Sequence, residues 1–262
     1  MTFFKESIEN PTAETHEQRA DSLIIQEQID VKAYMDMHTQ DEFFDDDGKE
    51  ITNNDNQLDA NIIFNIFDVE YGTDDNGMIY SIDGELVPNT EYKLDGTIYY
   101  TDDNGDIYRI DNNLQPNIEY EVNGYKYKTD IKGRIISADG ILHMKNRDGR
   151  LAIKDSIEDI GKGDQKEGDD RGHLIGDQFD GSNGLENMVP QDAQINRNDF
   201  RNFENELAQE VKPPNNKEVY VMIEPLYDGN SNRPMAIAVT YIIEGEENIK
   251  VFPNGTRRNR DE

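Results

Sequence analysis

The residues of this chain best suited to chemistry lie between positions 169 and 204. The run Asp169-Asp170-Arg171-Gly172-His173-Leu174-Ile175-Gly176 sets a histidine beside an acid, a base and two glycines, and Asn187, Gln191, Asn196 and Glu204 follow in order. Eight residues separate Asn196 from Glu204; at about 3.6 residues per turn, that spacing puts both on one side of a helix. Phe200, Phe203, Leu207 and Val211 recur at three- and four-residue spacing, so the helix predicted over 196–211 has a buried face. A neutral histidine takes a proton from water, while amide and carboxylate oxygens suit a hard divalent cation. Brought together, they suit phosphodiester hydrolysis.

Other elements must position that set. Residues 141–168 lead into it and carry Lys145, Arg147, Arg150 and Lys154, a basic cluster suited to holding a substrate backbone. Gly161–Gly168 reads as a loop. Beyond the helix, Pro213-Pro214-Asn215-Asn216 is a break. Val219–Ile223 and Met235–Ile243 read as strands joined by a long turn over 228–234, with a further short strand over 248–252.

Upstream lies an internal repeat. Asn76-Gly77 recurs as Asn104-Gly105 and degenerates to Lys132-Gly133, Pro88-Asn89 recurs as Pro116-Asn117, and Glu91-Tyr92 as Glu119-Tyr120, every offset being 28 residues. Asn-Gly between alternating residues signals a hairpin, so 72–140 is predicted to be a separate stack of β-hairpins. Tyr92, Tyr99, Tyr100, Tyr108, Tyr120, Tyr125 and Tyr127 are read as sheet residues that pack the units; the competing reading is a platform for wall polymers. Asn61–Tyr71 is the first dense apolar run and reads as a strand or short buried segment.

The chain has 262 residues, a hydrophobic content of 34% and a formal charge of −30. Residues 1–139 hold 10 basic and 32 acidic side chains, and residues 140–262 hold 16 and 24. Such acidity argues against a protein that lives on nucleic acid through charge alone. A local basic cluster with a divalent cation escapes that objection. Residues 1–71 read as an acidic leader, partly disordered or helical over Ala13–Met37, and 256–262 as a basic tail. With no cysteine there is no disulfide framework and no thiolate metal site. The first residues lack a signal peptide, and no segment approaches membrane-spanning length, so no membrane insertion is expected.

The string Asp170-Arg171-Gly172-His173, the series Asn187, Gln191, Asn196, and Glu204 resemble the DNA/RNA non-specific endonuclease family of ββα-metal nucleases. Phe179-Asp180-Gly181-Ser182, Glu186-Asn187-Met188-Val189-Pro190 and Ser231-Asn232-Arg233-Pro234 resemble, more narrowly, the branch found as C-terminal toxins of Gram-positive proteins secreted by type VII-like systems. The resemblance covers roughly 140–255. It implies an α+β chain with a ββα-metal (His-Me finger) domain over 141–255. His173 would be the general base, and Asn196 would ligate Mg²⁺, with Mn²⁺ tolerated. Glu204 would support the water shell of the ion and Arg171 would contact phosphate. Asn187 and Gln191 would shape the site, with Asp170, Gln191, Arg147 and Arg150 as substrate-binding candidates. The interval from His173 to Asn187 is shorter than in the best-known secreted members.

The implied substrate is DNA, with RNA left open, and the implied partner is a cognate inhibitor protein. The implied location is outside the producing cell or inside a target cell, reached without an N-terminal signal peptide. His16 and His38 read as bland surface residues, and His143, between Leu142 and Met144, as structural. The rival reading is a non-catalytic acidic module that keeps the fold and binds a protein or wall polymer.

Overall fold

The computed structural model describes residues 44–53 and 57–255. The helix expected over Ala13–Met37, His16, His38 and the basic tail lie outside the described residues. The described residues divide into two units, one ending at Val87 and the other beginning at Pro88.

In the first unit, β1 (Ile63–Ile66), β2 (Val69–Thr73), β3 (Ile79–Ile82) and β4 (Glu85–Leu86) form an antiparallel sheet in that order. Its core is Ile51, Leu58, Phe64, Ile66, Tyr71, Ile82 and Val87. The Asn61–Tyr71 run is thus a hairpin, turning at Phe67 and Asp68, both at positive φ.

The second unit opens with β5 (Glu91–Leu94), β6 (Thr97–Thr101), β7 (Ile107–Ile110) and β8 (Asn113–Leu114), a second four-stranded sheet. Then come β9 (Glu119–Val122), β10 (Tyr125–Thr129) and β11 (Ile135–Ile141), helix α1 (Ile157–Gly161), and the hairpin β12 (Asp169–His173) and β13 (Met188–Asp192). Helix α2 (Arg201–Val211) and strands β14 (Val219–Tyr227), β15 (Pro234–Ile243) and β16 (Glu246–Pro253) complete the α+β fold. Among the described residues no helix is long and apolar enough to cross a membrane.

One device explains the 28-residue period. In each copy an aspartate folds its carboxylate over the loop that follows it, an Asx turn. Asp74 Oδ1 accepts from the backbone N–H of Asn76 and Met78. Asp102 Oδ1 does the same for Asn104 and Asp106, and Asp130 Oδ1 for Lys132 and Arg134. The preceding threonines, Thr73, Thr101 and Thr129, accept from the N–H of Ile62, Thr90 and Ile118. Asp45 makes the same turn with Asp47 and Lys49, a degenerate copy the sequence did not reveal. In the third copy Gly133, at φ +73°, takes a place where a Cβ would stand 2.5 Å from the Leu114 carbonyl oxygen.

The expected domain boundaries are corrected by the strands themselves. A cut between 71 and 72 passes through β2 and a cut between 140 and 141 through β11. The third copy is no part of a separate stack. Its strands β9, β10 and β11 are half of a six-stranded sheet of order β16-β15-β14-β11-β10-β9. β11 runs for seven residues, against four for β3 and β7. The extra length pairs with β14, Ala138 opposite Ile223 and Ile141 opposite Tyr220. Gly140 makes room for Tyr125, whose ring lies 2.8 Å from where a Cβ would be.

The tyrosines pack the fold. Tyr120, Tyr125 and Tyr127 are buried in one core with Leu174, Ile175, Phe179, Val189, Phe200 and Phe203. Tyr108, Tyr120 and Tyr127 stack in series, with ring centroids 4.8 and 5.3 Å apart. Tyr120 and Tyr125 donate their hydroxyls to the carbonyls of Glu186 and Phe179. Tyr92 is buried as well, and Tyr99 and Tyr100 are half-buried, so these rings offer no open stacking platform. His143 stacks on Tyr125 and is structural, as read.

Candidate active site

The β12–β13 hairpin pairs Asp170 with Gln191 and His173 with Met188. A buried network pins it to the large sheet. Arg233 donates to both carboxylate oxygens of Asp169 at 2.7 Å and to the Asn254 carbonyl at 2.6 Å. Asn254 in turn donates to the carbonyls of Pro190 and Pro234.

Past His173 the chain is held by Asn187. Its Oδ1 accepts from the N–H of Ile175, and its Nδ2 donates to the carbonyls of Ile175 and Ser182, at 2.8–2.9 Å. Asn187 is fully buried and its amide is filled by backbone, so it shapes the loop that follows His173. Gln191 is corrected likewise. It is fully buried and fills the space beside Gly172, where a Cβ would stand 2.2 Å from its Oε1. A residue so enclosed does not touch substrate.

The helix departs from expectation at its start. Ile195–Phe200 is a π-helical turn, and the α-helix begins only at Arg201. Such wide turns recur at functional sites. Phe200 and Phe203 still bury their rings against Phe252, at 5.0 and 5.5 Å. Asn196 and Glu204 still face one cleft, of about 370 Å³, together with His173, Arg150, Gly176, Asp177 and Arg201. An adjoining cavity of about 530 Å³ is lined by Arg150, Asn196 and Arg197 with Asp170, Arg171 and the 151–153 segment.

Each group's chemistry follows from its surroundings. His173 is 7% exposed and its Nε2 is buried without a hydrogen-bond partner. Burial, helped by the charge of Arg150 and opposed by Asp177, lowers it to about 4, so it is neutral at physiological pH. Burial pushes the Glu204 carboxyl up to about 8, against the pull of Arg150 and Arg201. Burial acts to raise the Asp177 carboxyl too, but hydrogen bonds from Lys145 and Arg147 outweigh it and hold it at about 2. Asp170 lies below the usual carboxylate range for the same reason: hydrogen bonds from Arg197 and Asn196 outweigh burial.

The basic cluster is therefore divided. Arg147 is committed to Asp177 and Asp180 and lines neither cavity, which corrects its assignment to substrate. Lys145 also pairs with Asp177. Lys154 makes an exposed pair with Glu91. Arg150 lines both cavities and makes no ion pair or hydrogen bond among the described residues. Arg171 lines the adjoining cavity and donates to the Asp155 carbonyl at 3.0 Å.

Asp155 is itself held by a buried pair with Arg109 of β7, so the second repeat sheet buttresses this wall. Arg109, Asp177, Arg197 and Arg201 were missed by sequence reasoning. Arg197 and Arg201 had a visible signal, since both lie on the predicted helix that bears Asn196 and Glu204.

Among the described residues no three His, Asp or Glu side chains converge as a metal cage. The donors present are one amide oxygen and one enclosed carboxylate. Asn196 donates its Nδ2 to Asp170, which leaves Oδ1 as its free ligand atom. That set fits a divalent cation that keeps most of its water.

Residues 116–245 match the sequence profile described as DNA/RNA non-specific endonuclease. This part of the chain belongs to that family. The matched stretch begins inside the repeat region, at the turn before β9. Over 101 residues the chain is 38% identical to the type VII secretion system protein EssD of Staphylococcus aureus strains USA300 and NCTC 8325, the match covering 36% of this chain. It spans 16% of the length of those relatives. The structure of the Sda1 nuclease with bound zinc ion aligns at a TM-score of 0.39 and 16% identity, over 51% of this chain and 76% of that one.

Proposed function

We propose that the endonuclease domain hydrolyses phosphodiester bonds of DNA, and of RNA, without reading bases, through a ββα-metal (His-Me finger) arrangement of β12, β13 and the helix that starts at Ile195. The observation that carries this is the convergence of His173, Asn196 and Glu204 on one cleft beside Arg150.

In this reading neutral His173 accepts a proton from the attacking water. Asp170 holds the Asn196 amide by its nitrogen and so presents Oδ1 to the cleft. Asn196 and, through water, Glu204 are the residues that would hold the cation. Mg²⁺, or Mn²⁺ in its place, supplies charge neutralisation at the phosphate when bound. Arg150 grips a non-bridging oxygen, and Arg171 contacts the adjacent stretch of backbone. The chain's acidic total does not describe this locus, because Asp170 and Asp177 are both neutralised by arginine or lysine while Arg150 is left unpaired.

The likeness to the type VII secretion system protein EssD supports export by such a system; a toxin role, with an inhibitor protein that restrains it in the producer, completes the proposal. The test is plasmid cleavage by the full chain in Mg²⁺, with EDTA as control. Cleavage that EDTA abolishes supports the reading. A correctly folded chain that leaves plasmid and RNA intact in Mg²⁺ and Mn²⁺ favours the non-catalytic binding module instead.

A further inference from the structure

Asp170 poses a question that the nuclease reading leaves open. A carboxylate is a stronger ligand than an amide for a hard divalent cation, and Asp170 touches Asn196 from within the adjoining cavity. Both of its oxygens are nevertheless occupied. Arg197 donates from Nη2 to Oδ1 at 2.6 Å and from Nε to Oδ2 at 2.8 Å, and Asn196 Nδ2 completes the set on Oδ2 at 3.0 Å.

Neighbouring residues on a regular α-helix point apart, yet Asn196 and Arg197 meet on one carboxylate. They do so from the π-helical turn. The Arg197 side chain is 69% exposed, and an ion pair that open contributes little to stability. Its value must lie elsewhere.

We infer that Arg197 is a positioning residue that keeps Asp170 out of the ligand set, so that the cation is held by a neutral amide and retains its charge for the phosphate. This rests on the nuclease reading of the same site. Two consequences follow. Releasing Asp170 tightens the grip on the cation, and it also weakens turnover, because a second negative charge now faces both the ion and the substrate.

The experiment is calorimetric titration of the full chain with Mn²⁺ in the absence of nucleic acid, on the wild type, Asn196→Ala, Arg197→Met, and Arg197→Met combined with Asp170→Asn. We expect Arg197→Met to bind Mn²⁺ about tenfold more tightly, with a lower kcat on DNA and an unchanged melting temperature. The double variant should return to wild-type affinity or weaker. Unchanged or weaker binding by Arg197→Met overturns the inference. So does equal tightening in the double variant, which would mean that loss of a positive charge acts at a distance and not through Asp170. Asn196→Ala separates this from failure of the nuclease reading. If the wild type shows neither Mn²⁺ binding that depends on Asn196 nor cleavage, the reading falls and the inference with it. If both are present and Arg197→Met changes nothing, the inference alone falls.

Discussion

The Glu204 carboxyl group lies where a side chain at residue 176 would have to go. A Cβ on Gly176 would stand 2.3 Å from Oε1 and 2.8 Å from Cδ of Glu204. Gly176 has φ −67° and ψ 150°, which any residue adopts. Its glycine is required by the neighbour and not by the backbone.

Gly176→Ala should therefore leave the fold intact and push the far end of Glu204 out of place. We expect activity to fall at least about tenfold, the scale on which small misplacements act, with a melting temperature within a few degrees of wild type. A fully active alanine variant would show that the Glu204 position is irrelevant to turnover.

His173→Ala should lose about 10²–10⁴-fold in rate. The pH dependence follows from the depressed value near 4. The unfolded chain takes up the proton first, so the stability tied to neutral His173 is complete above 6.5 and lost as pH falls through about 4. Melting curves across that range should show wild type losing ground relative to His173→Gln. The acid limb of kcat/KM should lie well below the pH of free histidine, and a limb at 6.5 or above would assign the base elsewhere.

Glu204 works in the opposite direction. Its folded value near 8 exceeds the ordinary 4.5, so the stability tied to its protonated form is complete below 4.5 and lost as pH rises through about 8. Glu204→Gln should melt at a higher temperature than wild type above pH 8 in EDTA, match it below 4.5, and be a poorer nuclease in Mg²⁺. A variant less stable than wild type at high pH would contradict this.

A fragment beginning at residue 142 should be insoluble, because it lacks β9, β10 and β11, half of the six-stranded sheet, together with Tyr120, Tyr125 and Tyr127. A fragment beginning at Pro88 retains every element of the second unit and should fold and cleave. Circular dichroism and gel filtration of the two separate the cases; a soluble, active shorter fragment would restore the boundary read from the sequence.

The parts of the site that were legible are those whose chemistry is written in residue type. His173, Asn196, Glu204 and Arg150 line one cleft, because helical spacing and a histidine between glycines survive translation into space. What failed to show was occupancy. Nothing in the sequence says that Arg147 is already spent on Asp177, or that Asn187 is filled by the backbone of Ile175, since such partners lie far along the chain. The π turn was illegible for another reason: Phe200, Phe203, Leu207 and Val211 keep α-helical spacing, and that run masks the wide turn before it. The fold misled in one place. The 28-residue period is real through all three copies, but a period reports how each unit turns and not which sheet its strands join, and the extra length of β11 is what commits the third copy to the six-stranded sheet.

That shared membership gives the series a direction. The last copy of the repeat lies inside the six-stranded sheet, so the copies are not interchangeable. Removing residues upstream of 88 leaves every strand of that sheet in place, while a deletion across 112–139 removes β9, β10 and most of β11. Changes in repeat number that spare the sheet are thus confined to the N-terminal side of β9.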